Sequence, residues 1–297
     1  MSYLTEPDYF ITGFVLLIGL LLSLKESWQE KIRGILSKKP MLIFLAPFFF
    51  ILLNQYHIQY RGLPIENGMA YASYLLLPTV VIFFADRNNP RIQIADVLVI
   101  LAFWLPFDLR YIQGSWQRFS YHFLSVSASI LGILLFSCYR KLDNIKFNVR
   151  ISRESLLLLL KVLVLALLTL IPAGFVLDFL KWNPDPEKIK ILPIAFLLIL
   201  LVTALPEELL FRGFLQNLLN KTTGLSSGLI IASIVFGCAH LDNIAGGYGP
   251  PNWRYFIMAS IAGLWYGTAY LQSKSILVPA SLHALIDAIW GAFLVKS

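Results

Sequence analysis

About ten apolar stretches, each long enough to cross or nearly cross a bilayer, recur along this chain and limit what it can fold into. They lie near 9–24, 41–56, 68–85, 94–109, 121–139, 155–180, 189–206, 225–241, 254–272 and 276–295. A hydrocarbon core about 30 Å thick takes roughly 20 apolar residues as a helix, and a spanning helix satisfies its own backbone. The expected fold class is therefore all-α, a polytopic transmembrane helical bundle of about ten spans. Composition closes the alternatives. Of the 297 residues, 58% are hydrophobic and 14% charged, against about 45–50% apolar and about 25% charged in ordinary soluble domains. That leaves too little polar surface to coat a soluble enzyme, and it excludes a disordered or nucleic-acid-binding tail protein.

The first stretch reads as a retained span, because Glu6 and Asp8 precede it where a cleavable signal would carry basic residues. The two cysteines, Cys138 and Cys238, lie in apolar stretches and form no disulfide framework or paired metal site. The net charge of +7 is a loop property. Lys25, Lys31, Arg33, Lys38 and Lys39 occupy the first loop, Arg87 and Arg91 the third, and Arg140, Lys141, Lys146, Arg150 and Arg153 the fifth. The even loops hold Arg61, then Arg110 and Arg118, then Lys181, Lys188 and Lys190. Odd loops outweigh even ones by about two to one, which places the odd loops in the cytoplasm and the N-terminus outside. The basic loop at 140–154 is the natural boundary, dividing residues 1–150, N-terminal membrane helices without readable chemistry, from residues 151–297. The aromatic run Tyr56-His57-Ile58-Gln59-Tyr60 in the first part reads as an interfacial belt.

Ionisable groups inside spans are costly and mark function unless they reach water from a span end. Asp96, Asp108, Asp178 and His122 lie close to expected span ends, and Lys161 can snorkel on its long stem. The segment Leu205-Pro206-Glu207-Glu208-Leu209-Leu210-Phe211-Arg212-Gly213 is different, with two carboxylates and a guanidinium inside an apolar helix. Glu208 and Arg212 are four apart, so they share a face and can pair. Glu207 is rotated about 100° away on the 3.6-residue period. It is thereby left an unpaired acid in a low-dielectric setting, suited to general-base work. Pro206 is expected to break or kink the helix just before the carboxylates. The plainer reading is a helix end dipping into the headgroups with a local salt bridge.

Two further pairs weigh against the plainer reading. Phe236 and His240 are four apart on the next span, and His283 and Asp287 are four apart on the last. Each pair lies on one helical face. A cavity between these helices can hold a water contacted by Glu207, His240 and His283. Cys238 is two residues from His240 and points to a roughly opposite face, so it is rejected as a nucleophile.

Glu-Glu-x-x-x-Arg at 207–212, Phe-x-x-x-His at 236–240 and His-x-x-x-Asp at 283–287 together resemble the CAAX-protease and bacteriocin-processing (Abi-like) family of intramembrane endopeptidases. That family includes the type 2 prenyl-protein proteases and many bacterial relatives. The resemblance covers roughly residues 155–295. It implies a multi-pass protease of a bacterial plasma membrane, acting on a peptide or protein substrate below the membrane surface, with the lipid bilayer as its surroundings and no cofactor. By this resemblance Glu207 is the general base, and His240 orients the water or protonates the leaving amine. Glu208 is held by Arg212, and His283 with the residue four later stabilises the oxyanion. Asp287 stands where many relatives carry Asn, and an ionised Asp cannot donate to an oxyanion. Either it is protonated, or it orients His283, which then does the stabilising.

Other readings use the same residues. A metal-dependent protease would take Glu207, His240 and His283 as ligands to zinc or another divalent ion, although the spacing does not follow His-Glu-x-x-His. A non-catalytic membrane binding or immunity protein would have no need of the complete set, and a proton-coupled transporter would use the buried acids along a through-pathway. The loop Ala245–Trp253, rich in Gly and Pro, is either a substrate gate or a surface turn. No motif selects among prenylated tails, bacteriocin leaders, sorting-signal remnants and membrane-anchored regulators.

Overall fold

Helices follow the apolar stretches throughout the computed structural model, which describes residues 7–60, 65–109, 118–143 and 152–295. Glu6, Arg61, Arg110, Lys146 and Arg150 lie outside the described residues, as do the side chains of His122 and of residues 56–60. The chain divides into two compact units, Met1–Ile145 and Lys146–Ser297.

The first unit contains α1 (Pro7–Ser23), α2 (Glu26–Lys38), α3 (Leu45–Tyr60), α4 (Ile65–Phe83), α5 (Ile94–Asp108) and α6 (Arg118–Ile133). A wider π-type turn, Leu134–Tyr139, extends α6. The first basic loop is itself largely the amphipathic α2, with Glu26 in its first turn and Lys38 in its last, the charge order that complements a helix dipole. Arg33 donates to the Ser137 carbonyl at 2.9 Å, and Arg87 donates to the carbonyls of Leu36 at 3.1 Å and Tyr139 at 3.3 Å. The first, third and fifth loops thus gather at one end of the unit, as a common side of the membrane requires.

Asp96 departs from expectation. It lies in the first turn of α5 but is fully buried rather than open to water or headgroups. Arg140 replaces the water, forking onto both carboxylate oxygens at 2.7 Å and donating to the carbonyls of Asp86 and Asn89 at 2.8 Å. Asp178 and Lys161 are exposed and Asp108 half-buried, as groups near a surface should be.

The second unit contains α7 (Arg153–Val176), α8 (Pro186–Lys190), α9 (Leu192–Thr223), α10 (Leu225–Cys238), α11 (Trp253–Ser273) and α12 (Leu277–Leu294). Among the described residues, α7, α9 and α12 are long and apolar enough to cross a membrane, and six further apolar helices are 10–17 residues long. At 21 residues α11 is long enough, but its tyrosines, tryptophans and glycines dilute its apolar content. The seventh apolar stretch does not end at Pro206; it runs on as the 32-residue α9. Proline lacks an N–H and its ring crowds the carbonyl four residues back. Here the backbone widens into a π-type turn at Leu200–Ala204, just ahead of the proline, and again at Leu209–Gln216. Such widening shifts the crowded carbonyl, so the helix continues through Pro206.

Small residues bring α10 and α11 together. A Cβ on Gly237 would meet the Phe256 carbonyl at 2.7 Å, and one on Gly263 would meet the Ser233 Cα at 3.1 Å. The glycines of α11 also bare backbone carbonyls to α9: Arg212 donates to Gly263 and Gln216 to Gly267, each at 3.3 Å. Helix α12 packs on α7, α9 and α11. Its last carbonyls accept from the strap after α7, through the amides of Lys181, Asn183 and Asp185 at 3.3, 2.8 and 2.9 Å.

Candidate active site

Glu208, on α9, is fully buried and divides its two oxygens between two partners. Oε2 lies 3.1 Å from Arg212 Nε, and Oε1 lies 2.9 Å from His283 Nδ1 on α12. The guanidinium of Arg212 stands 4.3 Å from the centre of the Phe236 ring and 5.3 Å from that of Tyr266. A carboxylate can only accept, so His283 donates through Nδ1 and turns Nε2 toward two more acids. Asp287 Oδ2 is 3.4 Å from that nitrogen and Glu207 Oε2 is 3.9 Å from it. The His283 ring is stacked on Tyr266, centroids 4.6 Å apart and planes 15° off parallel, and meets Phe236 edge-on. Its position is therefore fixed on three sides. Glu207 and Asp287, by contrast, keep 32% and 29% of their side chains exposed.

His240 lies just beyond the end of α10. Its Nδ1 is 2.7 Å from the Phe236 carbonyl, which can only accept, so Nδ1 carries the hydrogen. Neutral His240 then offers Nε2 as an acceptor. Its ring packs against Phe236 at 4.7 Å and Tyr255 at 4.6 Å. His240, His283 and Asp287 share the wall of one cavity of about 70 Å³ with Tyr255, Tyr266 and Trp290. That is room for water with polar groups to hold it. Glu207 is not among the wall residues and reaches the cavity through its contact with His283. Cys238 is also absent from the wall. Among the described residues, no three His, Cys, Asp or Glu side chains are arranged to hold a metal ion.

The motif residues Glu207, Glu208, Arg212, Phe236, His283 and Asp287 thus form one contact network, with His240 joined to it through Phe236. The motifs did not contain Tyr255, Tyr266 or Trp290. A signal existed for the tyrosines: Tyr255, Ala259, Ala262 and Tyr266 recur at four, three and four residues, one stripe of α11 that lines the cavity. The Gly-rich loop is strapped shut. Asn252 brings its side-chain amide within hydrogen-bond reach of the carbonyls of Asn243 and Ala245 at 3.0 Å and Tyr248 at 3.3 Å, and its Oδ1 caps α11 at the Tyr255 amide. Tyr248 donates to Asp178 at 2.7 Å, and Arg254 covers its ring at 3.8 Å.

The fold and site define an all-α membrane-helix protein with a buried glutamate–histidine centre. Residues 189–289 match the family described as type II CAAX prenyl endopeptidase, Rce1-like. A Bacillus subtilis (strain 168) protein named "Uncharacterized protein YpbD" is 32% identical over 91 residues, covering 31% of this chain and 41% of that protein. The chain therefore spans less than half the length of that relative. No solved structure matches it.

Proposed function

We propose that residues 151–297 form a glutamate-dependent intramembrane endopeptidase, which hydrolyses a peptide bond of a membrane-associated or lipid-anchored protein. The observation that carries this reading is the convergence of Glu207 and Asp287 on Nε2 of a histidine whose other nitrogen is held by the buried Glu208–Arg212 pair. Residues 1–150 form a separate membrane region outside the family match.

In this reading Glu207 takes a proton from water, and Nε2 of His240 holds the water's other hydrogen. The water oxygen bonds to the peptide carbonyl carbon while the π pair moves onto the carbonyl oxygen. Nε2–H of His283 donates to that oxyanion. When the C=O re-forms, the C–N bond breaks and the proton on Glu207 passes to the leaving amine. Glu208 sets the His283 ring, as an orienting carboxylate does in hydrolytic triads. An ionised Asp287 has no hydrogen to offer, and 3.4 Å from Nε2 its negative charge balances an imidazole that carries hydrogen on both nitrogens.

The test compares membrane proteomes of cells expressing wild type, Glu207→Ala and His240→Ala. Wild type is expected to generate new peptide termini in membrane-anchored proteins, and both variants to lose them while remaining inserted. Equal cleavage by wild type and Glu207→Ala would defeat the reading.

A further inference from the structure

An oxyanion formed in this cavity needs more than one hydrogen-bond donor, and the charged groups cannot supply a second. Glu207 and Asp287 are acceptors when ionised, Nδ1–H of His240 is committed to Phe236, and Nδ1–H of His283 is committed to Glu208. Only Nε2–H of His283 remains from the motif residues. The wall itself carries the phenols of Tyr255 and Tyr266 and the indole of Trp290. The Trp290 Nε1 is buried with no hydrogen-bond partner among the described residues.

Position separates these three. Tyr266 lies flat against His283, its ring centre 4.6 Å from that of the imidazole. Tyr255 packs edge-on against His240 at 4.6 Å, on the cavity wall that His283 and Asp287 also line. Its ring therefore stands beside the water-holding histidine on the wall of the cavity. Trp290 and Phe179, with ring centres 5.5 and 5.2 Å from that of Tyr255, hold the phenol in place.

Resting on the endopeptidase reading above, we propose that Tyr255 is a catalytic residue whose hydroxyl donates, beside Nε2–H of His283, to the oxyanion of the scissile carbonyl. The hydrogen is shared with the oxyanion and is not transferred, so the proton path from water through Glu207 to the amine is unchanged. Tyrosine hydroxyls serve elsewhere as oxyanion donors, and removing one such donor costs about 100-fold or more in kcat.

The test uses the purified full chain and an internally quenched peptide spanning the cleavage site that distinguishes wild type from Glu207→Ala. Tyr255→Phe leaves the ring against His240 and Trp290 and takes away only the hydroxyl. The expected result is a fall in kcat of about 100-fold with KM within threefold. A phosphinate analogue of the same peptide, which mimics the tetrahedral oxyanion, should lose a similar factor in affinity, because such analogues report transition-state binding. Either kcat within threefold of wild type or undiminished phosphinate binding overturns the assignment of Tyr255. In that event a Glu207→Ala variant that stays inactive leaves the endopeptidase reading standing. Cleavage by Glu207→Ala at the wild-type rate overturns both.

Discussion

Glu208 and His283, 75 residues apart in the chain, share a hydrogen bond of 2.9 Å between Oε1 and Nδ1, while Oε2 of the same carboxylate faces Arg212 at 3.1 Å. One buried anion thus neutralises a buried guanidinium and orients an imidazole. Glu208→Gln leaves Arg212 an uncompensated buried charge, and breaking such a pair costs about 3–5 kcal/mol. Arg212→Gln should cost a similar amount by stranding Glu208. Glu208→Gln/Arg212→Gln should be less destabilised than the two single changes added together. Unfolding of the purified variants in detergent measures the cycle, and additive losses would show that the pair is not coupled.

Asp287 offers a sharper chemical question. In the proposed mechanism it stands as a negative charge beside Nε2 of His283 and gives nothing to the oxyanion. Asp287→Asn keeps an accepting oxygen and adds an amide donor. It should raise kcat at least threefold, whereas Asp287→Ala, which releases His283, should lower it at least tenfold. Steady-state rates on the quenched peptide decide this. A tenfold fall in Asp287→Asn would show that the negative charge itself is required.

Among the described residues, no group of three His, Cys, Asp or Glu side chains has the arrangement to hold a metal ion. Cleavage is therefore expected to stay within twofold of its starting rate after incubation with EDTA or 1,10-phenanthroline. Activity lost to the chelators and restored by zinc would transfer Glu207, His240 and His283 to ligand roles.

What the sequence displayed depends on how far apart the interacting residues are. Glu208 with Arg212, and His283 with Asp287, are four apart, so helical periodicity alone puts each pair on one face. The bond from Glu208 to His283 depends on how α9 packs against α12, which no local period encodes. Asp96 with Arg140 is the same case in the first unit: each residue is legible at a helix end, their pairing is not. Proline chemistry predicts a break or a kink at Pro206, and the chain continues through it by way of a wider turn. Tyr255 and Tyr266 left only a stripe in which two small positions separate two aromatic ones, and ordinary packing gives similar stripes. The motif residues were thus readable as a set, whereas the cavity that joins them required the packed helices.

Asn252 connects the Gly-rich loop to the site. Its side chain gathers the carbonyls of Asn243, Ala245 and Tyr248, and its Oδ1 caps α11 three residues on, at Tyr255. Asn252→Ala removes an N-cap, a loss of about 1 kcal/mol, and unties the loop at the same time. The loop is buttressed independently by Tyr248 on Asp178 and by Arg254 on Tyr248, so the fold should persist. Amide hydrogen exchange should accelerate at least tenfold over residues 241–256 and remain unchanged in α9 and α12. Because the cap is adjacent to Tyr255, kcat should fall together with loop protection. Faster exchange without any change in kcat would show that the loop is a surface turn with no part in setting the cavity wall.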